Sequence, residues 1–292
     1  MDYIKRDTNL FDSFHFLNTP YIRDGEFGKF YPGETNALYA LQSIGKSLFF
    51  NQSNSWGKAF STLSLIHIVG DLHQPLHAAS LLSREYKFHP PGGDLGGNLY
   101  KITYTSKKQD MAYKQLHLLY DCIADEICNY MPEVVTKEYE NEIKDYVDGL
   151  MKEFPLSKYE SEFLYPSYMF DNITAFSGVV NDWALESYTL AIDFYQMVPK
   201  MNVELSEEFI EKLSVVLRER VALAGYRIGH LLAHANKQRL GPNFNNLTTD
   251  RGLIIFLILA FFVAMTIALA YRKKYKTYAL VVDESHNGLL NQ

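Results

Sequence analysis

The sequence predicts a mainly α-helical domain followed by one C-terminal transmembrane helix. Three observations carry this expectation. Apolar residues recur at three- and four-residue spacing through most of the first 240 positions, β-type clustering is confined to residues 98–104, and residues 252–270 run for nineteen positions without a charge. At 292 residues and 47% hydrophobic content the chain can bury one substantial core.

Taken in order, residues 35–50 are apolar-periodic and read as a helix, and 57–70 form a second that leads into a run of histidines and acids. Residues 98–104 gather Leu99, Tyr100, Ile102, Thr103 and Tyr104, the one stretch that suits a strand. A further helix is expected over 112–130. Ser206 then caps a long helix with Phe209, Leu213, Leu217, Val221, Ala224, Ile228 and Leu231 along one side. No internal repeat or low-complexity segment interrupts this order.

The expected organisation is a catalytic domain over 1–240, a stalk over 241–251 that opens Gly241-Pro-Asn-Phe, a membrane helix over 252–271 and a tail over 272–292. A core helix as long as the apolar run would show a polar stripe, and this one has none. Arg272, Lys273, Lys274 and Lys276 follow the span, against Arg251 immediately before it, so the positive-inside rule puts the tail in the cytoplasm and the domain outside or in a lumen. Glycosylation sequons at Asn51, Asn172 and Asn246 agree with that side. The opening MDYIKRDTNLFDSFHF lacks the apolar stretch of a secretory signal, so the expectation is a type I membrane protein whose upstream segment and signal are missing from this sequence. A tail-anchored topology would carry the basic tail across the membrane and is the weaker choice.

A net charge of −6 argues against wholesale coating of a polyanion. It leaves room for a phosphate substrate, because bound metal ions supply positive charge that the formal count omits. Most of the 21 Tyr and 19 Phe are expected in the core. The two cysteines, Cys122 and Cys128, are six apart; on a continuous helix they would point to different faces, so they read as free core thiols.

The chemistry concentrates in His67-Ile-Val-Gly-Asp71-Leu-His73-Gln-Pro-Leu-His77. His67 and Asp71 are four apart and project from one face of a helix, and Pro75 forces a turn before His77. Downstream, His117 and Asp121 repeat the His-x-x-x-Asp spacing after Gly92-Gly-Asp-Leu-Gly-Gly-Asn98. A lone histidine on an apolar stripe is usually a core residue, and a lone i,i+4 pair is usually a surface ion pair worth about 0.3 to 0.5 kcal/mol. Two such pairs, with His77 and His15, instead make a donor set that suits zinc. The glycines imply a backbone that bends sharply or approaches a ligand closely. His230 and His234 are also four apart but lack an evident carboxylate, so they read as core or solvent residues; Asp94 and His89 read as substrate-facing loop residues rather than ligands.

With these residues assembled, the chain resembles the zinc-dependent class I nucleases, the single-strand-specific nucleases of fungi and plants and the membrane-bound 3'-nucleotidase/nucleases of protozoa. The resemblance rests on Asp2, His15-Phe16, His67-x-x-Gly-Asp71-x-x-Gln74-Pro75-Leu76-His77, Gly96-Gly97-Asn98, His117-x-x-x-Asp121, Trp183-Ala-x-Glu-Ser187 and Ala224-Gly-Tyr-Arg227. It implies a helical bundle of the phospholipase C and class I nuclease type around a zinc cluster. By position, one zinc would take Asp2, His15, His67 and Asp71, and a second His77, His117 and Asp121. Lys5 stands where the family often has a phosphate-holding Arg, Phe16 and Asn18 stand where it lines a base pocket, and Asn98 joins them as a substrate residue. Asp71 would bridge the first zinc to a third, and so belongs with Lys5 as a catalytic residue. The family holds that third zinc with an N-terminal Trp and a nearby His; neither is present, so this sequence supports two zinc sites where the family has three.

The resemblance thus implies a zinc-dependent phosphodiesterase that cleaves single-stranded RNA and DNA to 5'-nucleotides, with 3'-nucleotidase activity, and no obligate protein partner. A zinc phospholipase C and a non-catalytic surface protein that retains the fold are the alternatives.

Overall fold

The computed structural model describes residues 11–24, 33–50, 55–84, 93–108, 111–128, 136–198 and 200–240. The expected stalk, membrane helix and tail lie outside the described residues, as do Asp2, Lys5 and His89. Among the described residues no helix is long and apolar enough to cross a membrane.

Asn36 caps α1 (Ala37–Gly45) by accepting the Tyr39 N–H at 3.0 Å, and the helix widens into a π-turn over Lys46–Phe50. The second helix, α2 (Ser55–His73), is longer than its periodicity predicts and runs through the histidine motif. It stops where Pro75 removes an N–H, and Gln74 restarts the chain as the cap of a single turn, α3 (Pro75–Ala78). Further on come α4 (Leu116–Asp121), α5 (Lys137–Glu153), α6 (Ser161–Leu164) and α7 (Ile173–Met197). Last is α8 (Glu207–Leu240), capped by Ser206 Oγ accepting the Phe209 N–H at 3.2 Å. Its expected apolar stripe is buried from Leu213 to Leu231, with Phe209 partly so.

Among the described residues, five short strands accompany the helices. β1 (Thr19–Ile22) pairs in parallel with β2 (Ala79–Leu82), and β3 (Lys101–Thr105) lies between β4 (Ala112–Gln115) and β5 (Val203–Glu204). Only β3 matches the strand expected from sequence. The helix predicted over 112–130 is corrected at both ends, since its first four residues are strand and it closes at Asp121. Ile123, Ala124 and Asp125 then adopt φ of 49, 50 and 75°, a left-handed turn that doubles the chain back. That turn overturns the expectation of free thiols. It brings the Cα atoms of Cys122 and Cys128 to 4.6 Å, within disulfide range, and the two are bonded.

Among the described residues, two apolar clusters form the core. One gathers Ile143, Val147, Tyr195, Leu213 and Leu217, and the other gathers Leu41, Leu65, Ile68, Phe176 and Trp183. Residues 72–81 run between them, with Leu72 and Ala78 in the second and Leu76, Ala79 and Leu81 in the first. The segment that carries the histidine motif is therefore clamped from both sides.

Candidate metal centre

Helix spacing and one strand pair assemble the site. On α2, His67 and Asp71 face the same way, and His67 Nε2 lies 3.2 Å from Asp71 Oδ2. His15 enters from the 3₁₀ turn Asp12–His15, its Nδ1 2.9 Å from the same Asp71 oxygen and 2.8 Å from His67 Nε2. What brings residue 15 to this helix is the β1–β2 register. Thr19 pairs with Ala79, and Leu17 N–H donates to the His77 carbonyl at 2.8 Å, so the pairing zips the segment after His15 to the segment after His77.

The second cluster lies alongside. His77 Nε2 is 3.8 Å from Asp121 Oδ1 and His117 Nε2 is 3.5 Å from Asp121 Oδ2, with the two imidazole rings stacked 5.0 Å apart. His77 Nδ1 donates to the His15 carbonyl at 2.7 Å, and His117 Nδ1 donates to the Gly96 carbonyl at 2.5 Å. Each ring thus spends its Nδ1–H on backbone and turns its Nε2 toward Asp121, the orientation in which an imidazole serves as a metal ligand. The clusters are linked as well as adjacent. Asp71 Oδ1 lies 3.8 Å from His77 Nδ1, and Gln74 Nε2 donates to Asp121 Oδ1 at 2.9 Å.

Burial works against the Asp71 carboxylate, but the charges of His67 and His77 and the hydrogen bonds of His15 and His67 outweigh it and hold its pKa well below the usual range. Burial likewise works against a charged His77, yet Asp71 and Asp121 lift its pKa above the ordinary 6.5. Ionisable groups shifted by burial and by one another in this way are characteristic of functional sites.

His15, His67 and Asp71 form one group whose donor atoms lie within 4.8 Å of one another, and His77, His117 and Asp121 form another. In a tetrahedral zinc site with bonds near 2.0 to 2.1 Å, neighbouring donors are about 3.3 Å apart. The first triangle, with sides of 2.8, 2.9 and 3.2 Å, lies slightly inside that separation, and in the second group the His77 and His117 nitrogens stand slightly outside it, 3.8 and 3.5 Å from the two oxygens of Asp121. The residues present fit the ion.

The glycine loop serves this geometry. Gly96, at φ 62°, sits so close to the Leu76 carbonyl that a Cβ would collide with it, while its own carbonyl holds His117. The close approach foreseen for these glycines is to the backbone of α3 at Gly96 and to that of β2 at Gly93. Asn98 bonds within the same loop, its Nδ2 donating to the Leu95 carbonyl at 2.8 Å.

Asp94 is corrected from a substrate-facing residue to a structural one. It is fully buried and accepts from Leu81 N–H at 2.9 Å and from Tyr195 Oη at 2.8 Å, tying the loop and β2 to α7. Phe16 is half-buried beside the first cluster, and Asn18 is buried at the entrance to β1 with φ 52°. His230 and His234 stack on Tyr165 and Phe170, with ring centroids 3.8 and 3.5 Å apart, outside both clusters.

A group that sequence reasoning left without a role closes around the motif. His73 is buried; its Nδ1 bonds the Val69 carbonyl at 2.7 Å and its Nε2 accepts from Arg227 at 2.9 Å. Burial first, then the charges of Arg220 and Arg227, drive its pKa well below the ordinary value and keep it neutral. Glu186 takes both guanidinium groups. The motifs Trp183-Ala-x-Glu-Ser187 and Ala224-Gly-Tyr-Arg227 carried this signal, but their convergence on residue 73 is a tertiary fact.

Comparison with known proteins agrees with this geometry. Nuclease S1 of Aspergillus oryzae (strain ATCC 42149 / RIB 40) is 27% identical over 199 residues, an overlap that covers 66% of this chain and 59% of that protein, so the chain spans less than two thirds of its relative's length. The S1/P1 Nuclease family profile matches residues 1–237, which takes in both clusters and the helices that frame them, and on that match the chain belongs to the S1/P1 nuclease family.

Proposed function

We propose that this chain is a zinc-dependent phosphodiesterase acting on single-stranded nucleic acid. The observation that carries the reading is the pair of His/His/Asp clusters held side by side by residues 71–77. His15, His67 and Asp71 would hold one zinc ion and His77, His117 and Asp121 another, with Asp2 completing the first set. Bound zinc draws charge from a phosphodiester and lowers the pKa of water in the site. The chain's own residues prepare for this. Asp71 stays ionised, His77 and His117 are fixed in the tautomer that offers Nε2, and Gln74 orients Asp121. Lys5 would hold the phosphate, and Phe16, Asn18 and Asn98 would meet the base and sugar, by analogy of position with the family.

The products we propose are 5'-nucleotides, with removal of 3'-phosphates as a second activity of the same site. The decisive experiment measures zinc content alongside cleavage of heat-denatured and duplex DNA, before and after chelation. Zinc-dependent cleavage that favours denatured DNA, lost in His67→Ala, is the expected result. Undiminished cleavage after zinc removal, or turnover of phosphatidylcholine in place of nucleic acid, would overturn the reading.

We also propose that residues 252–270 anchor the domain to a membrane as a type I protein, on the strength of the uncharged run and the basic residues that follow it. Release of the expressed protein from membranes by alkaline carbonate would contradict an integral anchor.

A further inference from the structure

The end of α2 sets a hydrogen-bonding problem at the centre of the site. A helix leaves its last carbonyls without intrahelical donors, and buried carbonyls need partners. Here Pro75 has no N–H to offer. The Asp71 carbonyl takes the Gln74 N–H at 3.0 Å, the Leu76 N–H goes to the Gln74 side chain, and the His77 N–H goes to the Gln74 carbonyl at 3.0 Å. The carbonyls of Leu72 and His73 are therefore passed over by the amides that follow them.

Side chains from two other helices take both. Ser187 Oγ, on α7, donates to the Leu72 carbonyl at 2.6 Å, and Arg220 Nε, on α8, donates to the His73 carbonyl at 3.2 Å. Arg220 also donates to Ser187 Oγ at 2.9 Å and to Glu186 at 2.8 Å. Arg227 places two nitrogens on the two oxygens of Glu186 at 2.8 and 2.7 Å, and holds His73 Nε2. The rings of Trp183 and Phe163 lie 4.7 and 5.1 Å from the Arg227 guanidinium carbon.

We propose that Ser187, Glu186, Arg220 and Arg227 are positioning residues that fix residues 72–74 and thereby set how the two metal-capable clusters stand relative to each other. The proposal rests on the reading of those clusters as zinc sites. Residues 72–74 join Asp71 of the first cluster to Gln74, which orients Asp121, and to His77 of the second. A slip of this segment moves His77 and Asp121 against Asp71, and no other covalent path between the clusters is as short. A buried Arg–Glu–Arg group is poor evidence for stability alone, because its desolvation offsets most of its attraction. Its planar, forked geometry suits the fixing of direction.

The test uses the full chain and inorganic zinc or cobalt as the probe. Ser187→Ala removes the Leu72 partner with the least loss of volume, and Arg220→Lys keeps the charge while losing the fork. Val147→Ala, in the core of α5 away from the network, serves as a control for lowered stability. Stepwise zinc affinities by chelator competition and the visible spectrum of the cobalt form are measured well below each melting temperature. The expected result is a tenfold or greater weakening of one of the two zinc steps and an altered cobalt spectrum in Ser187→Ala and Arg220→Lys. Val147→Ala keeps parental affinities and spectrum despite a lower melting temperature. Parental zinc affinities and cobalt spectra in both network variants would overturn the positioning role while leaving the zinc sites intact. A parent chain that binds no zinc would overturn the zinc reading itself, and this proposal with it.

Discussion

Gln74 donates from its side-chain amide to Asp121 Oδ1 at 2.9 Å, while the other end of the same amide accepts the Leu76 N–H. One side chain therefore caps the turn that carries His77 and aims the carboxylate that faces it. Gln74→Ala removes both functions. The expected outcome is a loss of about 10- to 100-fold in zinc affinity at the second cluster, with about 1 kcal/mol of stability lost through the missing cap. Chelator competition on the full chain reads the first and thermal melting the second.

Much of this was legible in the sequence, because His67/Asp71 and His117/Asp121 are local pairs whose spacing survives in helical geometry. The register that brings His15 to the first of them was not. β1 and β2 are four residues each and pair across 60 positions, too short to show a period and too distant to show a turn. The fate of Cys122 was hidden for a different reason, since the left-handed run at 123–125 opens with Ile and Ala, residues that ordinarily continue a helix or strand, and only Asp125 is of a type that readily takes positive φ. Glu186 and Arg227 stood out as motif residues, yet nothing along the chain says that their common target is His73.

Gly96→Ala tests the loop that holds His117. The new methyl would collide with the Leu76 carbonyl, and a φ of 62° is unfavourable for alanine. The combined strain is expected to cost about 1 to 3 kcal/mol. Because the Gly96 carbonyl fixes the His117 tautomer, zinc at the second cluster weakens as well. A melting temperature and zinc affinity equal to the parent's would show that the loop adjusts freely.

The disulfide between Cys122 and Cys128 begins one residue after Asp121 and closes a small loop. Loop-closure entropy for so short a span gives about 2 kcal/mol of stabilisation. Cys122→Ser with Cys128→Ser should lower the melting temperature accordingly and loosen the end of α4. The effect on zinc is expected at the second cluster and not at the first, because His15, His67 and Asp71 belong to other elements. Equal weakening of both zinc steps would point to global loosening instead.

The pKa shifts of Asp71 and His77 predict opposite pH limbs for the metal-free chain. His77 is raised, so its contribution is fully present below about pH 6.5 and is lost as pH rises through its higher folded value. Asp71 is depressed, so its contribution is present above about pH 3.9 and is lost as pH falls through its lower folded value. Between these limits both contributions are present together, while buried His73, kept neutral by a lowered pKa, works the other way and costs stability as pH falls below about 6.5. Zinc alters the upper limb, because the ion takes the place of the proton that His77 would otherwise keep. Below the His77 pKa, apparent zinc affinity should fall by about tenfold per pH unit for each proton displaced. Melting curves of chelated and zinc-loaded protein across this range measure both effects. The rise in melting temperature caused by zinc should grow as pH increases through the His77 value, since the competing proton leaves there. A zinc increment that stays flat through that interval would mean that His77 carries no proton for the metal to displace, and that Asp71 and Asp121 do not act on it as their distances imply.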